Sequence, residues 1–430
     1  MNCFFRLLLF VSMLLFNRSV AQQHGPLFKE KDPKQSGLQF INQVTETDSL
    51  HVFRYEYLYN GSGVGVGDFN NDGLEDLFFS GNQVANKLFL NKGRLQFEDI
   101  TQSAGVAGNL NWSTGVTIAD VNADGRLDIY VCHSGKYGDS LQLRNELFIN
   151  EGVQQGKPVF KERAVEYGLD AAGTQSTHAV FFDYDLDGDL DMFLLNHSNH
   201  TYNPFLNTRK TRATPNMAFG NRLFRNTSKN KFEDVTLKAG IINHALNFGL
   251  SVTVSDLNND GWPDIYTTSD YTEKDCLYIN NRNGTFSEQV EKSMGHISKY
   301  SMGADIADIN NDGWADIFTL DMLPEDNHRQ KMLKGPDEYD QYNLLRDSGY
   351  FKQQMRNMLQ LNRGVDQDGQ LRFSEIGQLA GISNTDWSWS GLLADFDLDG
   401  WKDAFVTNGY LRDYTDLDFM KYTVAEARIE

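Results

Sequence analysis

The sequence predicts an all-β protein, a β-propeller of four-stranded blades with short helical insertions. Three observations predict it. A nine-residue acidic loop occurs six times, short runs of β-branched and aromatic residues flank each copy, and two further strand signals recur behind it. Successive loops start 52, 63, 73, 52 and 87 residues apart. The shortest interval suits one four-stranded blade, and the longer ones leave room for insertions.

Each loop has oxygen-bearing side chains at positions 1, 3, 5 and 9 and Gly at position 6. The first offers Asp68, Asn70, Asp72 and Asp76, with the carbonyl of Leu74 at position 7. The second offers Asp120, Asn122, Asp124 and Asp128, with the carbonyl of Arg126. The third has Asp183, Asp185, Asp187 and Asp191, with Asp189 at position 7. The fourth has Asp256, Asn258, Asp260 and Asp264, with Trp262. The fifth has Asp308, Asn310, Asp312 and Asp316, with Trp314. The sixth has Asp395, Asp397, Asp399 and Asp403, with Trp401. A hard cation that takes six to eight oxygens suits this spacing, so about six structural Ca²⁺ sites are expected. An EF-hand needs a bidentate Glu at position 12, and here that position holds Phe79, Val131, Leu194, Thr267, Thr319 and Val406. The competing reading is an Asx-rich hairpin turn that binds nothing, although such a turn does not require an acid at position 9.

The loop joins the first two strands of each unit. A third strand reads Leu88-Phe89-Leu90-Asn91, Leu147-Phe148-Ile149-Asn150, Leu223-Phe224-Arg225-Asn226, Leu277-Tyr278-Ile279-Asn280 and Leu359-Gln360-Leu361-Asn362. A fourth starts at Phe97, Phe160, Phe232, Phe286 and Phe373. Residues 38–42 read as a lone fourth strand that would complete the last blade. After the sixth loop one strand follows at 404–407, no sixth third-strand signal appears, and the tail from Asp416 reads as the start of a helix. Two readings stand: a shortened piece of a longer chain, which we favour, or a six-bladed ring with an imperfect last blade. The expected organisation is a signal peptide over 1–21, a linker over 22–37, the propeller over 38–407 and a post-blade segment over 408–430.

The amino terminus fits a secretory signal. Arg6 precedes an apolar run over 7–16, and Ser19-Val20-Ala21 supplies small residues before a cut at Gln22. The run is too short to span a bilayer, and Cys3 lies too early to be lipidated. A secreted, periplasmic or cell-surface protein is therefore expected. Cys132 and Cys276 sit in different units and are expected to be buried thiols. The net charge is −20, and the loop ligands supply twenty of the 59 acidic residues. Metal-free loops should therefore repel one another, and no basic stripe exists to meet nucleic acid.

These loops and strands resemble the FG-GAP or VCBS repeat propellers, which include the integrin α-subunit head and the cartilage acidic protein-like, UnbV-type bacterial proteins. The resemblance covers about residues 38–422. It is carried most specifically by Tyr59-Asn60-Gly61-Ser62-Gly63-Val64-Gly65-Val66-Gly67-Asp68, by 176–183 and by Asp321-Met322-Leu323-Pro324-Glu325-Asp326. It implies a seven-bladed ring of which six loops are visible here, secretion, and calcium-stabilised binding or adhesion. It does not supply a ligand.

The insertions at 196–221 and 321–357 and the aromatic-rich connections before the first strands would share the face opposite the metal loops. Tyr59, Trp112, His178, Tyr300, Trp387 and Trp389 are the candidate ligand-face residues, for a protein or carbohydrate partner. The alternative is that they pack between blades. Arg209, Lys210 and Arg212 form a small positive island. A polysaccharide lyase or hydrolase is the enzymatic alternative, with His178 and Tyr300 as its candidate groups, and His197 with His200 forms a weak metal pair. The sequence holds no nucleophile elbow, zinc helix, phosphate loop or dinucleotide fingerprint.

Overall fold

Each acidic loop closes an antiparallel hairpin, and each hairpin opens a separate sheet. The computed structural model describes residues 27–135, 143–198, 208–227, 231–333, 339–409 and 415–424. The expected signal peptide and His200 lie outside the described residues. Sheet one runs β1 (Val64–Gly67), β2 (Asp76–Phe79), β3 (Lys87–Asn91) and β4 (Phe97–Asp99). Sheet two is β5 (Ser113–Ala119), β6 (Asp128–His133), β7 (Glu146–Gln154) and β8 (Lys157–Glu162). Sheet three is β9 (Ser176–Phe182), β10 (Asp191–Asn196), β11 (Arg222–Asn226) and β12 (Phe232–Asp234).

Sheet four is β13 (Gly249–Ser255), β14 (Asp264–Ser269), β15 (Cys276–Asn280) and β16 (Phe286–Glu288). After it, β17 (Ile297–Ser298) pairs in parallel with β20 (Gln353–Gln354). Sheet five is β18 (Ala304–Ala307), β19 (Asp316–Thr319), β21 (Met358–Val365) and β22 (Leu371–Glu375). The sixth sheet has two strands, β23 (Ser388–Ala394) and β24 (Asp403–Asn408). Helical turns at Asn327–Leu333, Tyr339–Leu345 and Arg346–Tyr350 fill the insertion of sheet five.

The first strands pack side by side in chain order, from β1 on β5 to β18 on β23. Glycine permits the first of these approaches. A Cβ on Gly65 would lie 2.6 Å from the Ile118 side chain of sheet two. The core lies between successive sheets. Phe78, Leu88, Ile129 and Val131 join sheets one and two, and Phe193, Leu195, Ile265 and Tyr278 join sheets three and four. Each fully buried aromatic of this kind contributes about 1.5–3 kcal/mol by leaving water.

Residues 38–42 do not complete the sixth sheet. Phe40 stacks on Phe79 of sheet one at 5.3 Å, and the Asn42 side-chain amide donates to Asn82 Oδ1 at 2.6 Å. The sequence pattern suggested a strand there, but side-chain contacts to sheet one hold the segment instead. Further on, Val52, Tyr55, Tyr57 and Leu58 cluster with Trp112 and Phe248 at the end of the sheets away from the acidic loops. Cys132 and Cys276 are buried free thiols, and burial pushes both upward from the ordinary thiol value.

Candidate functional site: six acidic loops and a cavity

In every loop the carboxylate at position 1 accepts from two backbone N–H groups. Asp68 receives Asp72 N at 3.0 Å and Gly73 N at 2.7 Å, and Asp395 receives Asp399 N at 3.0 Å and Gly400 N at 2.9 Å. The turn this builds needs two left-handed residues. Gly at position 6 supplies one, with φ between 81° and 94°. Position 4 supplies the other, and there Asn71, Asn259 and Asn311 tolerate it better than Leu186 or Leu398. Those three asparagines also tie neighbouring loops together. Each donates to the Gly carbonyl of the next loop: Asn71 to Gly125 at 3.1 Å, Asn259 to Gly313 at 3.0 Å and Asn311 to Gly400 at 3.0 Å.

Position 9 does separate work. Asp76, Asp128, Asp191, Asp264 and Asp316 are fully buried. One oxygen of each accepts from the backbone N–H at position 2, as Phe69 N gives to Asp76 at 3.1 Å. The other accepts from an asparagine of the third strand, as Asn150 N gives to Asp128 at 2.8 Å and Asn362 N to Asp316 at 2.7 Å. The same asparagines reach back one sheet. Asn150, Asn280 and Asn362 each donate a side-chain N–H at 2.9 Å to a carbonyl of the preceding loop, on Phe69, Tyr184 and Leu257. Burial pushes Asp76 up to about 6 and Asp128, Asp191 and Asp264 to about 7, against these hydrogen bonds, which act downward.

The loops differ in how well they fit a cation. In the third and sixth, where position 3 is Asp, carboxylate oxygens of Asp183, Asp185 and Asp191, and of Asp395, Asp397 and Asp403, lie within 4.8 Å of one another. Asp185 Oδ1 is buried with no hydrogen-bond partner among the described residues, and burial followed by repulsion from Asp187 and Asp183 raises Asp185. An orphaned oxygen in a converging carboxylate set is the donor geometry of a hard cation. In the second and fourth loops an arginine already pairs with position 5: Arg126 with Asp124 at 2.5 Å and Arg282 with Asp260 at 2.7 Å. In the first and fifth, the Asn70 and Asn310 amides donate to Asp72 and Asp312, both at 2.9 Å.

At the other end of the first strands lies a cavity of about 320 Å³. Residues within or just before all six first strands line it, Gly63, Gly115, His178, Ser251, Gly303 and Ser390 among them, together with Tyr55, Tyr57 and Trp389. No Asp, Glu, Lys or Arg lines it. Burial holds the His178 imidazole down at about 4, so it is neutral at pH 7.

The expected ligand-face residues divide. His178 and Trp389 line this cavity. Trp112 and Trp387 are buried instead. Trp112 packs edge-on against Tyr55 at 5.6 Å, and Trp387 packs against Trp389 at 6.2 Å. Tyr59 donates to Glu46 at 2.6 Å, and Tyr300 lies under the Lys299 ammonium at 5.0 Å; neither lines the cavity. Arg212 of the positive island is held by Glu273 at 2.8 Å.

One recurring signal escaped the sequence reading. The residue before each third strand caps the end of the second: Asn86, Asn145, Asn221, Asp275 and Asn357 accept from Gly81, His133, Asn196, Ser269 and Asp321 N–H. Four of the five are asparagine. Asn145 donates to Tyr130 and Ser176 at 3.0 Å, whereas Asp275 accepts from Tyr266 and Ser301 at 2.8 Å.

A family model described as FG-GAP-like repeat matches residues 68–131 and 256–319. Cartilage acidic protein 1 of Xenopus tropicalis is 31% identical over 137 residues, 32% of this chain and 20% of that protein. The Mus musculus protein matches with the same identity and coverage. The chain thus spans about one fifth of the length of these curated relatives. Among solved structures, an Agrocybe aegerita lectin that recognises non-reducing terminal N-acetylglucosamine is similar over 80% of this chain and 73% of its own, with 16% identity and a TM-score of 0.44. The Bacillus licheniformis rhamnogalacturonan lyase PL11 is similar over 80% of this chain and 55% of its own, with 12% identity and a TM-score of 0.36.

Proposed function

The chain carries FG-GAP-like repeats and has distant relatives in cartilage acidic protein 1, and on that premise we propose that it is a secreted recognition module propped by calcium. Structural Ca²⁺ in the acidic loops would offset carboxylate repulsion and fix one end of the first strands. The opposite end then presents a preformed surface to a glycan or protein partner. The observation that carries this reading is the division of charge along one set of strands. The loop carboxylates gather at one end, and a cavity lined by no charged side chain sits at the other.

The loops that bind most tightly are the third and sixth, where a fourth carboxylate replaces asparagine. Ring closure by a seventh blade belongs to the same proposal, as does release of the chain after Ala21. A hydrolase reading would need two facing carboxylates, and none lines the cavity. His178 lines it but Tyr300 does not, so the lyase candidates are not assembled in one place.

Equilibrium dialysis against radioactive calcium tests the metal half directly. The expected result is about six ions per chain, with Asp185→Ala and Asp397→Ala each removing one of the tightest. A chain that retains no calcium at millimolar free ion would reduce the loops to turns. Amino-terminal sequencing of the exported protein checks the address, with Gln22 as the expected first residue.

A further inference from the structure

The cavity has a chemistry of its own, set by what the six first strands bring to it. At about 320 Å³ it stands at the lower end of the ~300–1,000 Å³ usual for small-molecule sites. That is room for one compact ring, not for a chain segment. Its walls exclude three classes of ligand. No cationic side chain meets an anion, and no carboxylate meets a metal ion or an amine. Its hydroxyl groups would be left unpaired by an apolar guest.

The polar groups come as both donors and acceptors. Thr114 and Thr177 donate to the carbonyls of Ser176 and Gly249 at 2.7 Å, which leaves their oxygen lone pairs to accept. Ser251 and Ser390 present hydroxyls to it, each able to donate or accept. His178 Nδ1 accepts from Val252 N at 3.4 Å, and because the ring is neutral its proton lies on Nε2, which makes that atom a donor. Trp389 adds a flat apolar wall. Its indole N–H is tied to the Gly409 carbonyl at 2.6 Å, so the ring is held in one orientation.

We propose that the cavity binds a neutral, polyhydroxylated ligand, a single terminal sugar residue seated against Trp389 and hydrogen-bonded by the strand hydroxyls and His178. Each sugar hydroxyl both donates and accepts, which the mixed walls match, and the carbon-bound face of the ring matches the indole. This rests on the recognition-module reading above and gives it a place and a ligand class.

The test uses the full chain with calcium bound. Saturation-transfer NMR and tryptophan fluorescence are recorded with methyl β-glucoside, methyl α-mannoside and methyl β-galactoside. Glucuronate and glucosamine serve as the charged counterparts. At least one neutral glycoside should bind saturably, and the charged sugars should bind at least ~10-fold more weakly, a difference of about 1.4 kcal/mol. Ser390→Trp places an indole in the cavity from an exposed wall position and should weaken binding by at least ~10-fold with an unchanged melting temperature. Ser251→Gln, from the first strand of sheet four, does the same if Ser390→Trp melts early. Absence of saturable binding by all three glycosides overturns the proposal, as does binding that survives both plugs. The two failures separate. A sugar that binds despite the plugs keeps the recognition module and moves its site, whereas calcium counts are untouched by either result.

Discussion

Sheets one to five and sheet six share one loop and one hairpin, yet they are buried very differently. The second strand of each sheet carries an aromatic at the same place. Phe78, Tyr130, Phe193, Tyr266 and Phe318 are at most 1% exposed, while Phe405 of sheet six is 40% exposed. The hairpins are alike, so the difference lies in what covers them. In the first five sheets a third strand pairs with the second and the next sheet packs on its face. In the sixth, neither is present among the described residues, and Phe28 of the N-terminal segment meets Phe405 and Phe396 at 5.7 and 5.5 Å instead. Sheet one shows the matching gap, with Val64 and Val66 about half exposed where Val116 and Ile118 of sheet two pack on their neighbour. The acidic loop thus specifies a hairpin by itself, but burial requires the whole unit.

The largest effect expected from this comparison is in the core. Phe318→Ala should cost about 3–5 kcal/mol in urea unfolding, and Phe405→Ala less than about 1.5 kcal/mol. Equal losses would mean that sheet six is as well covered in solution as sheet five.

Titration gives the next effect. The folded chain raises Asp76, Asp128, Asp191 and Asp264 from 3.8 to about 6–7, so it binds protons that the unfolded chain has released. That contribution is present below about pH 4 and is lost as pH rises through 6–7, so chelated protein should become less stable across this window. Calcium needs the ionised form, so the gain in melting temperature on adding calcium should grow over the same pH range. A calcium effect independent of pH between 5 and 8 would separate the ion from these carboxylates.

Asp275→Asn restores the residue the other four complete sheets carry. Burial raises Asp275 to about 7, so at pH 8 the substitution should stabilise by on the order of 1–2 kcal/mol, with little change at pH 5. The new amide would donate to Tyr266 and Ser301, as Asn145 does to Tyr130 and Ser176. Destabilisation at both values would show that Tyr266 and Ser301 cannot accept. The smallest effect is at the links between loops. Asn71→Ala removes one exposed hydrogen bond and a residue suited to left-handed backbone, at a cost of about 1 kcal/mol, whereas Leu398→Asn should relieve strain by a similar amount. Hydrogen exchange of the two loops reads both.

The repeat was legible because its residues have fixed jobs. Gly at position 6 takes the left-handed turn, and in the first five loops Asp at position 9 is buried under two N–H groups, one of them from the third-strand asparagine. Each job demands one residue type, so the pattern recurs. The asparagine before the third strand was as regular, but Asp275 interrupts it and its partner is a backbone N–H that no sequence pattern displays. The aromatics before the first strands could not be sorted by sequence. Trp112 and Trp387 hold comparable places, each before the serine that opens its strand, and both are buried, whereas Trp389 falls one residue inside its strand and lines the cavity. The segment at 38–42 had a strand's composition, but its pairing depended on which sheet lay within reach.

The most direct measurement is thermal melting of the chain after chelation, followed by addition of excess Ca²⁺ and, separately, Mg²⁺. Loops that hold structural calcium give a large fall in melting temperature on chelation and a recovery selective for calcium. The smaller magnesium ion, with its stricter six-coordinate geometry, should restore little. A melting curve that is the same with chelator, calcium and magnesium would contradict structural calcium, and would leave the six loops as turns held only by their own backbone hydrogen bonds.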